Sequence, residues 1–166
     1  MRMFSYSPTI LITMLLTLSA CASYQVSLNE QIVYQPPVLL SNYDIPDPAL
    51  KACVSAAIKE QSITEAEQLK QLVCPPGEIQ TLNGLEVFEK LETLGLEGNQ
   101  IIHIDTLGLL AALNTLNLKD NQINDISALS ALSSIQLLNV KGNSSLSCAA
   151  VSELGLKAEN TAILCD

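Results

Sequence analysis

A repeat of 22 residues constrains this chain more than any other feature of its sequence. Four segments align without a gap at that offset, and they begin at Leu69, Leu91, Leu113 and Ile135. Three of them carry apolar residues at seven shared positions and the fourth at six, and an eighth position holds asparagine in three of the four copies. One such unit cannot bury its own apolar row, whereas stacked units bury a continuous one. The repeat therefore predicts a solenoid.

The pattern inside one unit predicts how the backbone runs. Leu94 and Leu96 alternate with Gly95, which indicates a strand with one face inward. Stacked strands about 4.8 Å apart would form a parallel sheet. The asparagine position (Asn99, Asn121, Asn143) falls where the chain must turn, and its amide can satisfy turn backbone that no strand reaches. The apolar residues that follow are spaced by three, which predicts tight 3₁₀ turns.

The two central units, LETLGLEGNQIIHIDTLGLLAA and LNTLNLKDNQINDISALSALSS, follow the form L-x-x-L-x-L-x-x-N-x-I. This form resembles the leucine-rich-repeat family, and the 22-residue length resembles its internalin-type subclass. The resemblance covers residues 45–166, with repeats at 69–147. It implies a short right-handed α/β superhelix with parallel strands on the concave face, a helical N-terminal cap and a closed C-terminal cap.

The segment 45–68 is predicted to form the N-terminal cap. Asp47 followed by Pro48 is typical of a helix start, and apolar residues four apart follow at Leu50, Val54 and Ile58. A second short helix is predicted over 64–72. The Asp-Pro-x-Leu opening resembles the helical cap of internalin-type repeats. The C-terminal cap is assigned to 148–166, with a helix near 149–156 and a last strand near 161–164.

Cys21 ends an N-terminal Leu-Ser-Ala-Cys motif and is considered apart from the other cysteines. Four remain: Cys53, Cys74, Cys148 and Cys165. An even number in an exported chain indicates two disulfides. In a stack of coils, three spacings of about 4.8 Å separate Cys74 from Cys148, which is more than a disulfide spans. The pairs Cys53–Cys74 and Cys148–Cys165 are therefore favoured, one in each cap. A metal site and buried free thiols are the alternatives.

The first twenty residues are interpreted as a signal that is removed. Arg2 precedes an apolar run over 9–18, which is too short to span a membrane as a helix. The tetrapeptide Leu-Ser-Ala-Cys ending at Cys21 resembles the lipobox of bacterial lipoproteins. This resemblance implies cleavage after residue 20, lipidation of Cys21 with palmitate, and a membrane-anchored protein of the bacterial cell envelope. Ala22 favours the outer membrane by the same resemblance. An ordinary cleaved signal is the alternative.

Residues 21–44 are interpreted as the lipidated cysteine and a flexible tether. The segment lacks clear periodicity, contains Pro36-Pro37 and has one charge before Asp44. The alternative is a strand over 25–34 that packs on the domain.

Catalytic chemistry has little support in the sequence. His103 is the single histidine, and it occupies a turn position that is expected to face solvent. No nucleophile elbow, zinc-protease helix or phosphate-binding loop occurs. We therefore predict no catalytic residue, no metal site and no cofactor. The formal charge of −9, without a basic stripe, argues against nucleic acid as a partner.

The remaining candidate is a binding surface on the predicted sheet. Side chains between the buried leucines would point to the concave face, where the family often recognises ligands, as the resemblance implies. These residues are Thr93, Gly95, Glu97, Thr115, Asn117, Lys119, Leu137, Asn139 and Lys141. None is aromatic, which favours a weak or small interface. The predicted function is non-covalent binding of another protein; the alternative is a structural envelope lipoprotein without a ligand at this face.

Overall fold

The computed structural model describes residues 26–28, 31–34, 36–154 and 162–165. It divides the chain into two compact units, residues 1–38 and residues 39–166. In the first unit, Val26–Leu28 (β1) pairs antiparallel with Gln31–Tyr34 (β2). Part of the segment that we interpret as a flexible tether is thus a hairpin, and its β-branched residues favour strand conformation. The predicted signal and Cys21 lie outside the described residues.

The second unit contains a parallel sheet of five strands, one from each successive coil. The strands are Gln71–Val73 (β3), Thr93–Gly95 (β4), Thr115–Asn117 (β5), Leu137–Asn139 (β6) and Ala162–Leu164 (β7). They lie in chain order, with Leu94 opposite Leu116 and Leu116 opposite Leu138. The leucine-rich-repeat solenoid predicted from the 22-residue repeat is confirmed.

The return side of each coil closes the core through short 3₁₀ helices, as the spacing of three predicts. They span Leu85–Val87, Asp105–Leu109 and Ser127–Ala131. The repeated apolar positions of the central coils lie in the core of the solenoid unit with almost no solvent exposure. Burial of these aligned rows is the main stabilising contribution to the stack.

The three asparagines form the predicted ladder between coils. Asn121 donates from Nδ2 to the carbonyl oxygens of Leu118 in its own coil and Leu96 in the preceding coil, at 3.0 and 2.9 Å. Its Oδ1 accepts from the backbone N–H of Ile101 at 3.1 Å. Asn99 and Asn143 repeat the pattern. One amide thus satisfies turn backbone in two coils at once.

The residue before each asparagine adopts a left-handed backbone, with φ of 70° at Gly98, 53° at Asp120 and 71° at Gly142. Glycine adopts this conformation without steric cost, and aspartate tolerates it better than most side chains do. The tight turn into the asparagine ladder therefore explains why glycine occupies this position in two of the three coils.

The N-terminal cap begins with helix α1, Pro48–Gln61, which buries Leu50, Val54 and Ile58 against the first coil. Asp47 is its N-cap, as predicted: Oδ1 accepts from the backbone N–H groups of Ala49 and Leu50, both at 3.0 Å. The second predicted helix, over 64–72, is wrong in extent. Only Ala66–Gln68 forms a 3₁₀ turn, because the next residues pair with β4 as strand β3.

The cap also begins earlier in the chain than residue 45. The backbone N–H of Leu40 donates to the carbonyl of Ile63 at 2.9 Å, and the Tyr43 hydroxyl lies 2.8 Å from Ser55 Oγ. Apolar side chains in this stretch pack against the core. The solenoid unit therefore includes residues 39–44, which we assign to the tether from sequence alone.

The cysteines are joined as the stacking geometry predicts. Cys53 of α1 bonds to Cys74, with their Cα atoms 5.6 Å apart. Cys148 begins helix α2, Cys148–Glu153, and bonds to Cys165 just after β7, with Cα atoms 5.9 Å apart. Each bond closes one cap of the solenoid. Within the described residues, no helix combines the length and apolar character needed to cross a membrane.

Candidate functional site

The concave face of the sheet brings the predicted binding residues together in three rows. The strand register places Thr93, Thr115 and Leu137 in one row and Gly95, Asn117 and Asn139 in a second. Glu97, Lys119 and Lys141 follow the strand ends two residues later and form the third row. Five strands give this face a width of about 19 Å.

A charged network links neighbouring coils in the third row. Lys119 Nζ lies 2.7 Å from Glu97 Oε1 and 3.1 Å from Asp120 Oδ2. Asn117 Nδ2 donates to the second oxygen of Glu97 at 3.0 Å. The side chains of Lys119 and Glu97 are 38% and 42% exposed, so this network is accessible to a partner.

The network changes the acidity of its members in a consistent direction. The hydrogen bond from Lys119, followed by that from Asn117, holds the pKa of Glu97 below its ordinary value. The hydrogen bonds to Glu97 and then Asp120 raise the pKa of Lys119. Both residues therefore stay ionised on the concave face across the neutral range.

The middle row is partly occupied by local hydrogen bonds. Asn117 Oδ1 accepts from the backbone N–H of Lys119 at 3.2 Å, and Asn139 Oδ1 accepts from that of Lys141 at 3.3 Å. Each amide thus supports the end of its own strand. Asn139 remains partly exposed, so its side chain is accessible on the face.

Gly95 does not offer a contact surface, in contrast to its predicted role. The residue is buried, and a Cβ atom built on it would lie 3.1 Å from Cγ1 of Val73. The side chain of Val73 on the neighbouring strand therefore covers this position. Val73 itself is 63% exposed and replaces Gly95 as the accessible residue of the row.

Strand β3 contributes two residues to this face that are not among the predicted ones. Gln71 pairs with Thr93 and Val73 with Gly95, so both belong to the rows described above. At the other edge, Leu164 pairs with Asn139 and is 42% exposed. The 22-residue offset applied to Thr93 and Gly95 points to Gln71 and Val73, but the helix predicted over 64–72 ends within this strand and is incompatible with it.

The next question is whether residues suited to metal binding or catalysis occur near this face. In the described part of the chain, no group of three or more histidine, cysteine or acidic side chains is arranged to hold a metal ion. His103 is exposed in the turn region that follows the asparagine ladder.

Comparison with known proteins agrees with the fold. Residues 45–155 match the sequence model of the family described as the endo-beta-N-acetylglucosaminidase EndoS LRR domain. The structure of an internalin, InlF, from Listeria monocytogenes is similar, with a TM-score of 0.55 and 32% identity over 59% of this chain and 31% of that one. Internalin C2 of the same organism gives a TM-score of 0.61 and 25% identity over 72% of this chain and 54% of that one.

The chain thus spans about a third of the length of the first internalin and about half that of the second. No curated protein sequence matches the chain. The matched region contains the α1 cap and the coils that supply β3 to β6.

Proposed function

Because the chain belongs to the leucine-rich-repeat family represented by the EndoS LRR domain, a fold that generally serves as a protein-binding module, we propose that it binds another protein non-covalently through its concave sheet. The observation that carries this proposal is the ordered polar surface around Glu97 and Lys119. Its charged atoms are already positioned, so binding costs little side-chain entropy.

The composition of the face indicates the kind of contact that it offers. Leu137, 37% exposed, supplies an apolar spot in the row that also holds Thr93 and Thr115. The charged row, on the far side of the middle row, provides specificity more than affinity, because Glu97 and Lys119 already neutralise each other. A partner surface with a small apolar centre and a polar rim fits this arrangement. The absence of aromatic anchors among the predicted face residues favours a modest affinity.

Removal of the accessible polar groups tests the proposal. We expect the combined Thr115→Ala, Asn117→Ala and Lys119→Ala substitutions to weaken binding of the natural partner by about 30-fold or more, which corresponds to a small group of interface hot spots. The partner is first identified by placing a photo-crosslinking amino acid at Leu137 and irradiating intact cells of the source organism. Affinity for the purified partner is then measured by calorimetry.

Two matched controls are available for this experiment. A crosslinker at Leu109, 66% exposed on the 3₁₀ side, should give no adduct with the same partner. Combined alanine substitutions at the exposed residues His103, Gln122 and Asn124 should leave affinity unchanged. Adducts at Leu109 without adducts at Leu137 would contradict the proposal.

We propose further that the chain is exported and anchored to a bacterial membrane by lipid on Cys21. The support is the Leu-Ser-Ala-Cys tetrapeptide at the end of a short apolar run. The presence of two disulfides is consistent with an oxidising compartment. Several acyl chains on one residue give stable membrane anchoring, since each buried CH₂ contributes about 0.8 kcal/mol.

Substitution of the acceptor thiol tests the anchor. In cells labelled with radioactive palmitate, the Cys21→Ser variant is expected to carry no label, because serine lacks the thiol that receives the lipid. The Ser23→Ala variant keeps the tetrapeptide intact and should be labelled like the unmodified protein. Palmitate that persists in Cys21→Ser would refute this assignment.

A further inference from the structure

A groove of about 930 Å³ lies between helix α1 and strand β3, at the N-terminal end of the solenoid. One wall is the side of α1 that flanks its buried residues, and it includes the alanines at positions 49, 52, 56 and 57. The other wall is formed by Val73 and by Pro75 and Pro76 after it. The groove is therefore mostly apolar and has short side chains on its helical wall.

The open edge of the sheet borders this groove. On either side of β3, the Lys70 carbonyl accepts from the backbone N–H of Thr93, and the Cys74 N–H donates to the carbonyl of Gly95. The even-numbered residues therefore form the hydrogen bonds to β4. In a parallel ladder the alternate residues direct both backbone groups to the other side. Gln71 and Val73 therefore present their N–H and C=O groups to the groove.

Among the described residues, only some of these backbone edge groups have a hydrogen-bond partner. Gln61 Nε2, on the last turn of α1, donates to the Gln71 carbonyl at 3.1 Å. For the N–H and C=O of Val73, the described residues supply no hydrogen-bond partner. A strand edge of this kind is a template for pairing with another extended chain.

The charge of the groove limits what can enter it. The charged side chains that line it are Glu60 on α1 and Glu78 after Gly77, and no lysine or arginine is among its described lining residues. Both carboxylates belong to exposed residues. An entering segment with lysine or arginine near its ends would meet opposite charge, which aids both encounter and specificity.

We propose that the groove between α1 and β3 binds an extended segment of a partner protein, which adds a sixth strand to the sheet at Val73. Small apolar side chains of the segment face the alanines of α1, and its basic residues lie near Glu60 and Glu78. Pro75 and Pro76 lack N–H groups and limit the pairing to the length of β3. This site shares strand β3 with the concave rows, but it uses the backbone edge of Val73 and does not depend on the function proposed for the rows.

Binding of a designed probe to the full chain tests the proposal. The probe is the labelled peptide acetyl-KAVAVAK-amide, measured by fluorescence anisotropy, and acetyl-EAVAVAE-amide is its charge-reversed control. We expect saturable binding of the lysine peptide and none of the glutamate peptide. In amide NMR spectra the peaks that shift should belong to residues 71–79 and to α1.

Variants at the β3 edge and at the α1 wall show separately what each contributes to peptide binding. Val73→Pro removes an N–H that the sheet does not use, and it should weaken binding by about tenfold relative to Val73→Ala, which keeps that N–H. Ala56→Arg fills the groove and should abolish binding, whereas Ala111→Arg in an exposed turn should not. The combined alanine substitutions at residues 115, 117 and 119 should leave peptide affinity unchanged.

Three results would overturn the proposal. The first is equal affinity for the two peptides, and the second is a set of shifted amides at residues 115–119 instead of 71–79. The third is concentration-dependent dimerisation in sedimentation experiments that Ala56→Arg abolishes and the lysine peptide does not compete with. That result would assign the edge to a second copy of this chain. Circular dichroism is used to check that Ala56→Arg is folded, so the test holds even if Val73→Pro does not fold.

Discussion

Replacement of Asn121 by leucine is expected to lower the free energy of unfolding by about 3 kcal/mol. The side chain is 6% exposed and serves two coils through its hydrogen bonds to Leu96 and Ile101 of the preceding coil and to Leu118 of its own. Leucine has similar size but no polar atoms, so these buried backbone groups lose their partners. Urea unfolding followed by circular dichroism measures the effect.

Asn124, three residues later, provides the matched control. It is exposed, and leucine there is expected to change stability by no more than about 0.5 kcal/mol. Because a solenoid is stabilised by contacts between neighbouring repeats, loss of the central asparagine should also reduce cooperativity, seen as a lower slope of the urea transition. Equal stability of the two leucine variants would show that the ladder does not couple the coils.

The ladder was predictable from sequence because its requirement is local and recurs at a fixed offset. Asparagine recurs at one position in three repeats, 22 residues apart. Stacking of the repeats therefore places each of these amides next to its equivalent in the neighbouring coil. The same fixed offset predicts the register of the leucines and, through the distance between coils, the pairing of the cysteines, and both are confirmed. Where each coil repeats its neighbour, one period specifies the structure of all.

The first coil was predicted less well because the repeat is incomplete there. Residues 71–73 become a strand only through hydrogen bonds to β4, and β3 is the edge strand of the sheet in the described part of the chain. The local sequence permits a helix, and tertiary pairing overrides that preference. The edge of the sheet, the exposure of Val73 and the groove beside α1 all follow from the missing neighbour. A motif that describes interior repeats carries no information about these features.

The concave face was also predicted in outline but not in detail. Strand alternation places Asn117 and Lys119 on the face, as expected. The burial of Gly95 depends on the size of Val73 in the next strand, which strand alternation does not reveal. The ion pair between Lys119 and Glu97 spans 22 residues and depends on the rotamers that two exposed side chains adopt. Patterns give the position of a side chain, and its neighbours determine what it contributes.

Asp47→Ala is expected to cost about 4 kcal/mol of unfolding free energy, because this carboxylate has two roles. Oδ1 caps α1, and Oδ2 accepts from the backbone N–H groups of Gln80 and Thr81 at 2.9 and 3.1 Å. The residue is 7% exposed, so alanine leaves buried donors without a partner. The cap role follows from the Asp-Pro dipeptide, whereas the link to the first coil, 33 residues away, has no local signal.

Serine at position 47 separates the two roles. Serine is a good N-cap but too short to reach both donors of the first coil, so Asp47→Ser should lose about half as much stability as Asp47→Ala. Asp105, exposed at the start of a 3₁₀ helix, is the control, and its alanine variant should remain close to the unmodified protein. Equal losses for serine and alanine would place the whole effect in the bond to the first coil.

The pH dependence of stability gives an independent measure of the same carboxylate. Burial alone would raise the pKa of Asp47, but hydrogen bonds from Leu50, Gln80, Thr81 and Ala49 together hold it below its ordinary value of 3.8. A pKa that is lower in the folded state contributes stability above the unfolded pKa, and this contribution is lost as the pH falls through the folded value. Unfolding free energies at pH 7 and pH 3 should therefore differ less in Asp47→Ala than in the unmodified protein. Some acid sensitivity should persist, because the pKa values of Glu97 and Asp125 are lowered too. An unchanged difference in Asp47→Ala would mean that the cap carboxylate does not link α1 to the first coil in its ionised form.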